Sequence, residues 1–316
     1  MSEHHLRPSR ETLHGHFSRD LPPVLNIRSG DTVVFELLDA GWHVGPPTSG
    51  GDWGPVFERR NPELDAGHAL CGPVWIEGAR AGEVLQVDVE DVKPAGWGWS
   101  AGGGRDTPLN RRLGIADGQG YATFWRLDAQ RMTGIDAQGR CIQLRPFLGV
   151  MGMPPNAPGR YPTAPPRLWG GNLDCKELVA GSSLYLPIPV DGCLFSAGDG
   201  HGVQGDGEVS GVAIECPVES VRLRLTNRAD LHFKRPRARI HDAWLTFGVG
   251  EDLDEAMVMA VDEMLDLIVE QQAVDRREAI ALATLMVDLR ITQVVNGVRG
   301  VHALLKDEAI GSPSEP

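Results

Sequence analysis

No stretch of this sequence is apolar for long enough to cross a membrane as a helix, so no membrane partner is expected. The opening residues, Met1-Ser2-Glu3-His4-His5, have no apolar signal core, and a cytoplasmic location is expected. Cysteine is scarce, with five residues at 71, 141, 175, 193 and 216. The count is odd, the spacings are wide and no Cys-x-x-Cys occurs, which fits reduced thiols and speaks against a structural zinc knuckle. Basic residues number 30 against 43 acidic ones, a net charge of −13. That balance disfavours nucleic acid as a partner. The one dense basic run, 232–239, reads as a solvated loop or salt-bridge partner, with an anion or subunit contact as the alternative. Gly-x-Ser-x-Gly is absent, which removes the serine nucleophile elbow.

Glycine and proline are abundant, 39 and 23 among 316 residues. They point to turns and short strands rather than a helical bundle. Three stretches read as strand, Gly-containing turn, strand: 24–37, 74–90 and 178–188. Their likeness suggests a weak internal repetition. Residues 96–110 read as a loop rich in Gly and Trp. Residues 149–171 read as an ordered Pro-rich loop in which no central strand is expected. Asp252 to Gln272 carries apolar residues at helical spacing behind acidic Asp252, Asp254 and Glu255. A second helix is expected from Arg276 to Asp288, then strands at 289–295 and 301–305, and a frayed tail from Gly311. Met257, Met259, Met264 and Met286 are expected in the core. The expected fold is a β-rich, sandwich- or barrel-like body with a C-terminal α+β segment. Its expected divisions are 1–145, 146–230 and 231–316.

The densest chemistry lies in 198–208, where Asp199, His201, Gln204, Asp206 and Glu208 stand among five glycines. Asp199-x-His201 has a spacing of two. In an extended segment both side chains leave one face, with Cα atoms about 6–7 Å apart, and can reach one cation. A carboxylate and an imidazole together suit a divalent ion such as zinc. The bland alternative is a solvated polar turn. The apolar run 209–215 is expected to be a central strand ending on Glu215. That carboxylate is then a site residue or the partner of an arginine. Trp169-Gly170-Gly171-Asn172-Leu173-Asp174 forms a second polar candidate, and His68, before Gly72-Pro73, a third. Asp39 lies at a strand end with His43 close behind. Cys193 and Cys175 are the candidate thiol nucleophiles.

These residues resemble the acetamidase/formamidase family. The resemblance is carried by Gly170-Gly171-Asn172-Leu173-Asp174, by the run from Gly198 to Glu215 and by Gly72 to Ala79. Weaker agreement covers 21–25, 29–33 and 288–296. The resemblance implies hydrolysis of small amides, a divalent metal (zinc, or calcium as the alternative) and a homodimer or larger homo-oligomer. Carried over by position, the site would include His68, Asp174, Asp199, His201, Asp206, Glu208 and Glu215. After Asp39 the family usually shows Gly-Gly-Gln, whereas this chain reads Ala40-Gly41-Trp42-His43. The expected assignment is therefore His68, Asp174, Asp199 and His201 on the metal, and Glu208 or Glu215 as general base. Asp39, Asn172 and Asp206 are expected at the substrate pocket, walled by Trp97, Trp99 and 151–166. The alternatives are a metal-stabilised binding protein without turnover and a cysteine-dependent amidohydrolase.

Overall fold

A computed structural model describes residues 1–47 and 53–309, and the expected frayed tail from Gly311 lies outside the described residues. The β-branched and aromatic run after Asp31 forms the strand Asp31–Leu37, which buries Val33, Phe35 and Leu37. It belongs to a nine-stranded sheet. The order is Glu3–Leu6, Asp31–Leu37, Val218–Arg228, Val84–Pro94, Ser183–Pro187, Arg237–Arg239, Ala243–Gly250, Arg299–Lys306 and Val287–Gln293. A second sheet runs Gly170–Asn172, Phe147–Gly152, Cys193–His201, Leu70–Ile76 and Leu13–His14, with Leu25–Ile27 alongside Leu70–Ile76. The main core joins Val33, Phe35, Leu85 and Leu223 of the first sheet to Val74, Leu148 and Phe195 of the second. The β-rich sandwich body is thus as the composition indicates. Strands from 1–145, 146–230 and 231–316 interleave in the nine-stranded sheet.

The three similar stretches are not hairpins. Leu25–Ile27 lies in the second sheet and Asp31–Leu37 in the first; Leu70–Ile76 and Val84–Pro94 divide in the same way. In the third stretch Val179 bridges to Phe147 of the second sheet, while Ser183–Pro187 joins the first. Each glycine-containing turn therefore carries the chain across the sandwich.

Residues 96–110 depart from the expected loop. Trp97–Gly102 is a strand paired with Tyr121–Asp128 in a separate four-stranded sheet. Pro108–Leu113 is a short helix whose N-cap, Thr107, accepts from the Asn110 N–H. Phe147–Gly152 corrects the reading of 149–171, because it is a strand with neighbours on both sides and the proline density begins only after it. Conversely, 209–215 is not a strand. Gly207, Glu208 and Gly211 all take positive φ, which turns the chain away from an extended path and leaves Val209 exposed.

The C-terminal helices are Leu253–Gln272, capped by Asp252, and Arg276–Met286. The second ends before Asp288 because Val287 already opens the strand Val287–Gln293. Ala256, Ala260, Met264 and Ile268 pack with Val301, Ala303 and Leu305 in a second core. Met264 is fully buried, while Met257, Met259 and Met286 are half-buried. Among the described residues no helix is long and apolar enough to cross a membrane.

Candidate active site

The strand Phe147–Gly152 positions the site. It pairs antiparallel with Cys193–His201, with Phe147 opposite His201 and Leu148 opposite Gly200, so Gly149 comes opposite Asp199. On its other side it pairs with Gly170–Asn172, and the chain continues into Asp174, whose N–H donates to the Gly149 carbonyl at 3.3 Å. A Cβ on Gly149 would stand 2.3 Å from Asp199 Oδ2 and 2.6 Å from Asp174 Oδ1. Only a residue without a side chain leaves room there for two carboxylates.

His201 lies between them and two further acids. Its Nε2 is 3.4 Å from Asp199 Oδ1 and 3.5 Å from Glu215 Oε2. Donor atoms of Asp174, His201 and Glu208 also lie within 4.8 Å of one another. All five residues are buried. Phe147 packs edge-on against the imidazole, with ring centroids 5.0 Å apart. Glu215 is reached without a strand: its backbone exchanges hydrogen bonds with Trp99, and Oε1 accepts from the Ala213 N–H. Glu208 is held by the bridge of Gly207 to Gln293 of the C-terminal strand.

Two residues that support Asp174 fall outside the expected site assignment. Asn296 donates from Nδ2 to Asp174 Oδ2 at 2.6 Å, and Gln204 donates to the Asp174 carbonyl at 2.8 Å. Gln204 stands in the glycine-rich run, and Asn296 ends the last stretch that carries the family resemblance.

The remaining expected residues sit at the margins. His68 is half-buried, with Nδ1 2.8 Å from the hydroxyl of Thr163. Together with His16, Gly41, Tyr161 and Thr163 it lines a cleft of about 590 Å³. The 160–164 part of the Pro-rich loop thus borders this cleft. Asn172 is buried with its Oδ1 unpartnered. Asp39 is fully buried and its oxygens are engaged: Oδ1 accepts from the His43 N–H, and Oδ2 meets His43 Nδ1 at 2.7 Å and Trp99 Nε1 at 2.8 Å. It therefore props Trp99, the backbone partner of Glu215. Asp206 is half-exposed and paired with Arg290 and Lys176, apart from the converging acids. Trp97 lines a different depression, with Pro46 and Phe124. Cys193 is fully buried, and burial pushes its thiol upward.

Burial disfavours charge on each acid, and the acids repel one another. Asp174 is raised well above the carboxylate range by burial and by the charges of Glu208 and Asp199. Burial, with Glu215 and Asp199 nearby, raises Glu208 to about 7. Burial also raises Glu215. For His201, burial opposes the charge, but Glu215 and Asp199 outweigh it and hold the imidazolium. For Asp199, burial is outweighed by the imidazoles of His201 and His68, which hold it below the usual range.

These shifts fix a sign for stability. The raised acids and the raised imidazole bind more protons folded than unfolded, so stability falls as pH rises through their folded values. Asp199, being lowered, acts only below its ordinary value. Chelator-treated protein is therefore expected to lose Tm as pH rises from about 5 toward about 7, where Glu208 gives up its proton. A flat profile in differential scanning fluorimetry would contradict this.

The structure thus joins a β-sandwich to a buried histidine that faces four buried carboxylates. The sequence model of the acetamidase/formamidase family matches residues 2–160 and 157–299, and the chain belongs to that family. It is 29% identical over 248 residues to a formamidase from Methylophilus methylotrophus, covering 63% of this chain and 60% of that one. It is 25% identical over 256 residues to an acetamidase from Mycolicibacterium smegmatis, covering 62% and 61%. The chain spans about three fifths of the length of these relatives. Among solved structures it resembles an acetamidase from Bacillus halodurans with a TM-score of 0.82, 26% identity and coverage of 96% and 97%. A predicted acetamidase/formamidase from Thermoanaerobacter tengcongensis shares the fold with a TM-score of 0.84, 24% identity and coverage of 97% of each chain.

Proposed function

We propose that this chain hydrolyses small linear amides of the formamide and acetamide kind, releasing ammonia and the carboxylic acid. The observation that carries the reading is the buried convergence of Asp174, Asp199, His201, Glu208 and Glu215. Four of the five keep an unpartnered polar atom: Asp174 Oδ1, His201 Nδ1, Glu208 Oε2 and Glu215 Oε2. Family membership and the likeness to the Bacillus halodurans acetamidase support the same chemistry.

A divalent cation fits these donors. Nitrogen and oxygen ligands on tetrahedral zinc, at bonds of about 2.0–2.1 Å, stand about 3.4 Å apart. His201 Nε2 lies 3.4 and 3.5 Å from the oxygens of Asp199 and Glu215. Asp199 and His201 would hold the ion with Glu215 at matching distance, Asp174 would join through the group it forms with His201 and Glu208, and His68 would stand at the cleft side. The imidazole favours zinc over calcium, which takes oxygen ligands. Such an ion, when bound, lowers the pKa of water and polarises the amide carbonyl. The chain's own groups do the rest. Glu208, with a proton affinity near neutrality, takes a proton from the attacking water and returns it to the departing nitrogen. Glu215 is the alternative base. Asn296 and Gln204 fix Asp174, and Trp99 fixes Glu215. The cleft beside His68 admits the substrate.

The test pairs elemental analysis of purified protein with ammonia release from formamide, acetamide, propionamide and urea. Chelator-sensitive release from a short amide is the expected result. Bound metal with no release from any of them would favour a metal-stabilised binding protein. Loss of activity to thiol reagents would favour a cysteine hydrolase; both Cys175 and Cys193 are buried, and burial raises both thiols.

A homodimer or larger homo-oligomer belongs to the same reading. The edge strand Val287–Gln293 exposes Leu289 and Ile291, and exposed Val209 stands beside Ile291 across Gly207. Sedimentation is expected to show an assembly that Ile291→Lys weakens. All five cysteines are free, which supports a reducing, cytoplasmic setting.

A further inference from the structure

We infer that Cys175, Glu177 and His302 form a second, thiolate-containing metal site for a zinc-class divalent ion, separate from the carboxylate–histidine cluster. All three side chains are buried, and their donor atoms lie within 4.8 Å of one another. Cys175 Sγ is 3.4 Å from Glu177 Oε2, and His302 Nε2 is 3.7 Å from the same oxygen. Sulfur, oxygen and nitrogen ligands on tetrahedral zinc, at bonds of about 2.0–2.3 Å, stand about 3.5 Å apart. The observed separations have that spacing. The longer one exceeds a hydrogen bond.

A second observation points the same way. His302 is wholly buried, yet its Nε2 has no hydrogen-bond partner. A bare ring nitrogen in the interior is costly unless something occupies it. The other nitrogen, Nδ1, is fixed at 2.8 Å from the hydroxyl of Thr292. Metal-bound histidines are oriented through their second nitrogen in this way. Glu177 is prepared similarly. Arg290 donates to its Oε1 at 2.8 Å, which leaves Oε2 turned toward the cysteine and histidine.

Sulfur with imidazole selects zinc or a similar borderline ion over magnesium or calcium. Binding would release the thiol proton to solvent as the sulfur becomes a ligand. The carboxylate and thiolate together would balance a dication. The ion would tie the loop after Gly170–Asn172, which carries Asp174, to the strand Arg299–Lys306, which carries His302. The inference does not depend on amide hydrolysis.

Cobalt tests it, because a thiolate bound to Co(II) gives a sulfur-to-metal charge-transfer band that oxygen and nitrogen ligands do not. Chelator-treated wild-type protein is titrated with Co(II). The band is expected in the wild type, lost in Cys175→Ser, lost or weakened in His302→Ala, and retained in His201→Gln. Zinc content is expected to fall in Cys175→Ser relative to wild type. Absence of the band in the wild type, or its persistence in Cys175→Ser, overturns the site. The wild-type measurement stands even if a variant fails to fold. A His201→Gln variant that keeps both the band and full ammonia release would leave this site intact while defeating the assignment of the first.

Discussion

His201→Gln is expected to abolish ammonia release while the protein stays folded. The imidazole is the histidine shared by both groups of buried carboxylates. Without it Asp199 and Glu215 lose the ring nitrogen they face, and a metal loses a central nitrogen donor. Removing such a group is expected to cost on the order of a thousandfold in kcat/KM, or about 4 kcal/mol on the barrier. The amide side chain of glutamine preserves volume and polarity, and the residue lies outside the main core cluster, so the helical signal in circular dichroism should persist. Near wild-type turnover on formamide or acetamide would remove His201 from the chemistry. Glu208→Gln and Glu215→Gln then assign the base: the variant that retains metal but loses turnover identifies it.

Gly149→Ala is expected to suppress the proposed ammonia release without altering any ionisable group. The added methyl lies within 2.3 Å of Asp199 Oδ2 and 2.6 Å of Asp174 Oδ1, well inside van der Waals contact. Gly149 does not take positive φ, so alanine meets no backbone penalty. The strain falls on the two carboxylates, which must move apart or turn. A displacement of about 1 Å at reacting groups costs on the order of a hundredfold in rate. Overpacking of this kind costs about 1–3 kcal/mol in stability. The expected signature is therefore a moderate drop in Tm with a disproportionate loss of kcat and of bound metal. Equal metal content and kcat in Gly149→Ala and wild type would show that the separation of Asp174 and Asp199 is not critical.

The site was readable where its chemistry is local. Asp199 and His201 are two residues apart in one strand, although Asp199 takes a φ of 61° there and not the extended conformation that the spacing argument assumes. Asp174 is a polar candidate whose nearness in sequence to 198–208 favours a meeting with Asp199, but the sequence does not show how they meet. That meeting depends on Phe147–Gly152 running between their strands. The prolines that cluster from Pro154 onward mask that strand, which ends at Gly152. Glu215 was reached through a wrong element. An apolar run implied a strand, whereas positive φ at Gly207, Glu208 and Gly211 makes it a turn. The helices were legible because amphipathic periodicity and the Asp252 cap are short-range signals. The crossings between sheets were not, since a hairpin and a crossing share the same strand–turn–strand pattern. His302 has no neighbours in sequence that mark it. Its setting comes from Cys175 and Glu177, more than a hundred residues earlier.

The tether from Asn296 to Asp174 has a consequence for biosynthesis. Asn296 steadies an acid that lies 122 residues earlier, so it is made well after that acid. Glu208, too, is latched through Gly207 to Gln293, which is made later. A nascent or prematurely stopped chain would carry every acid and the imidazole yet leave them unlatched. The cluster would then be latched only once the chain has been made past Asn296.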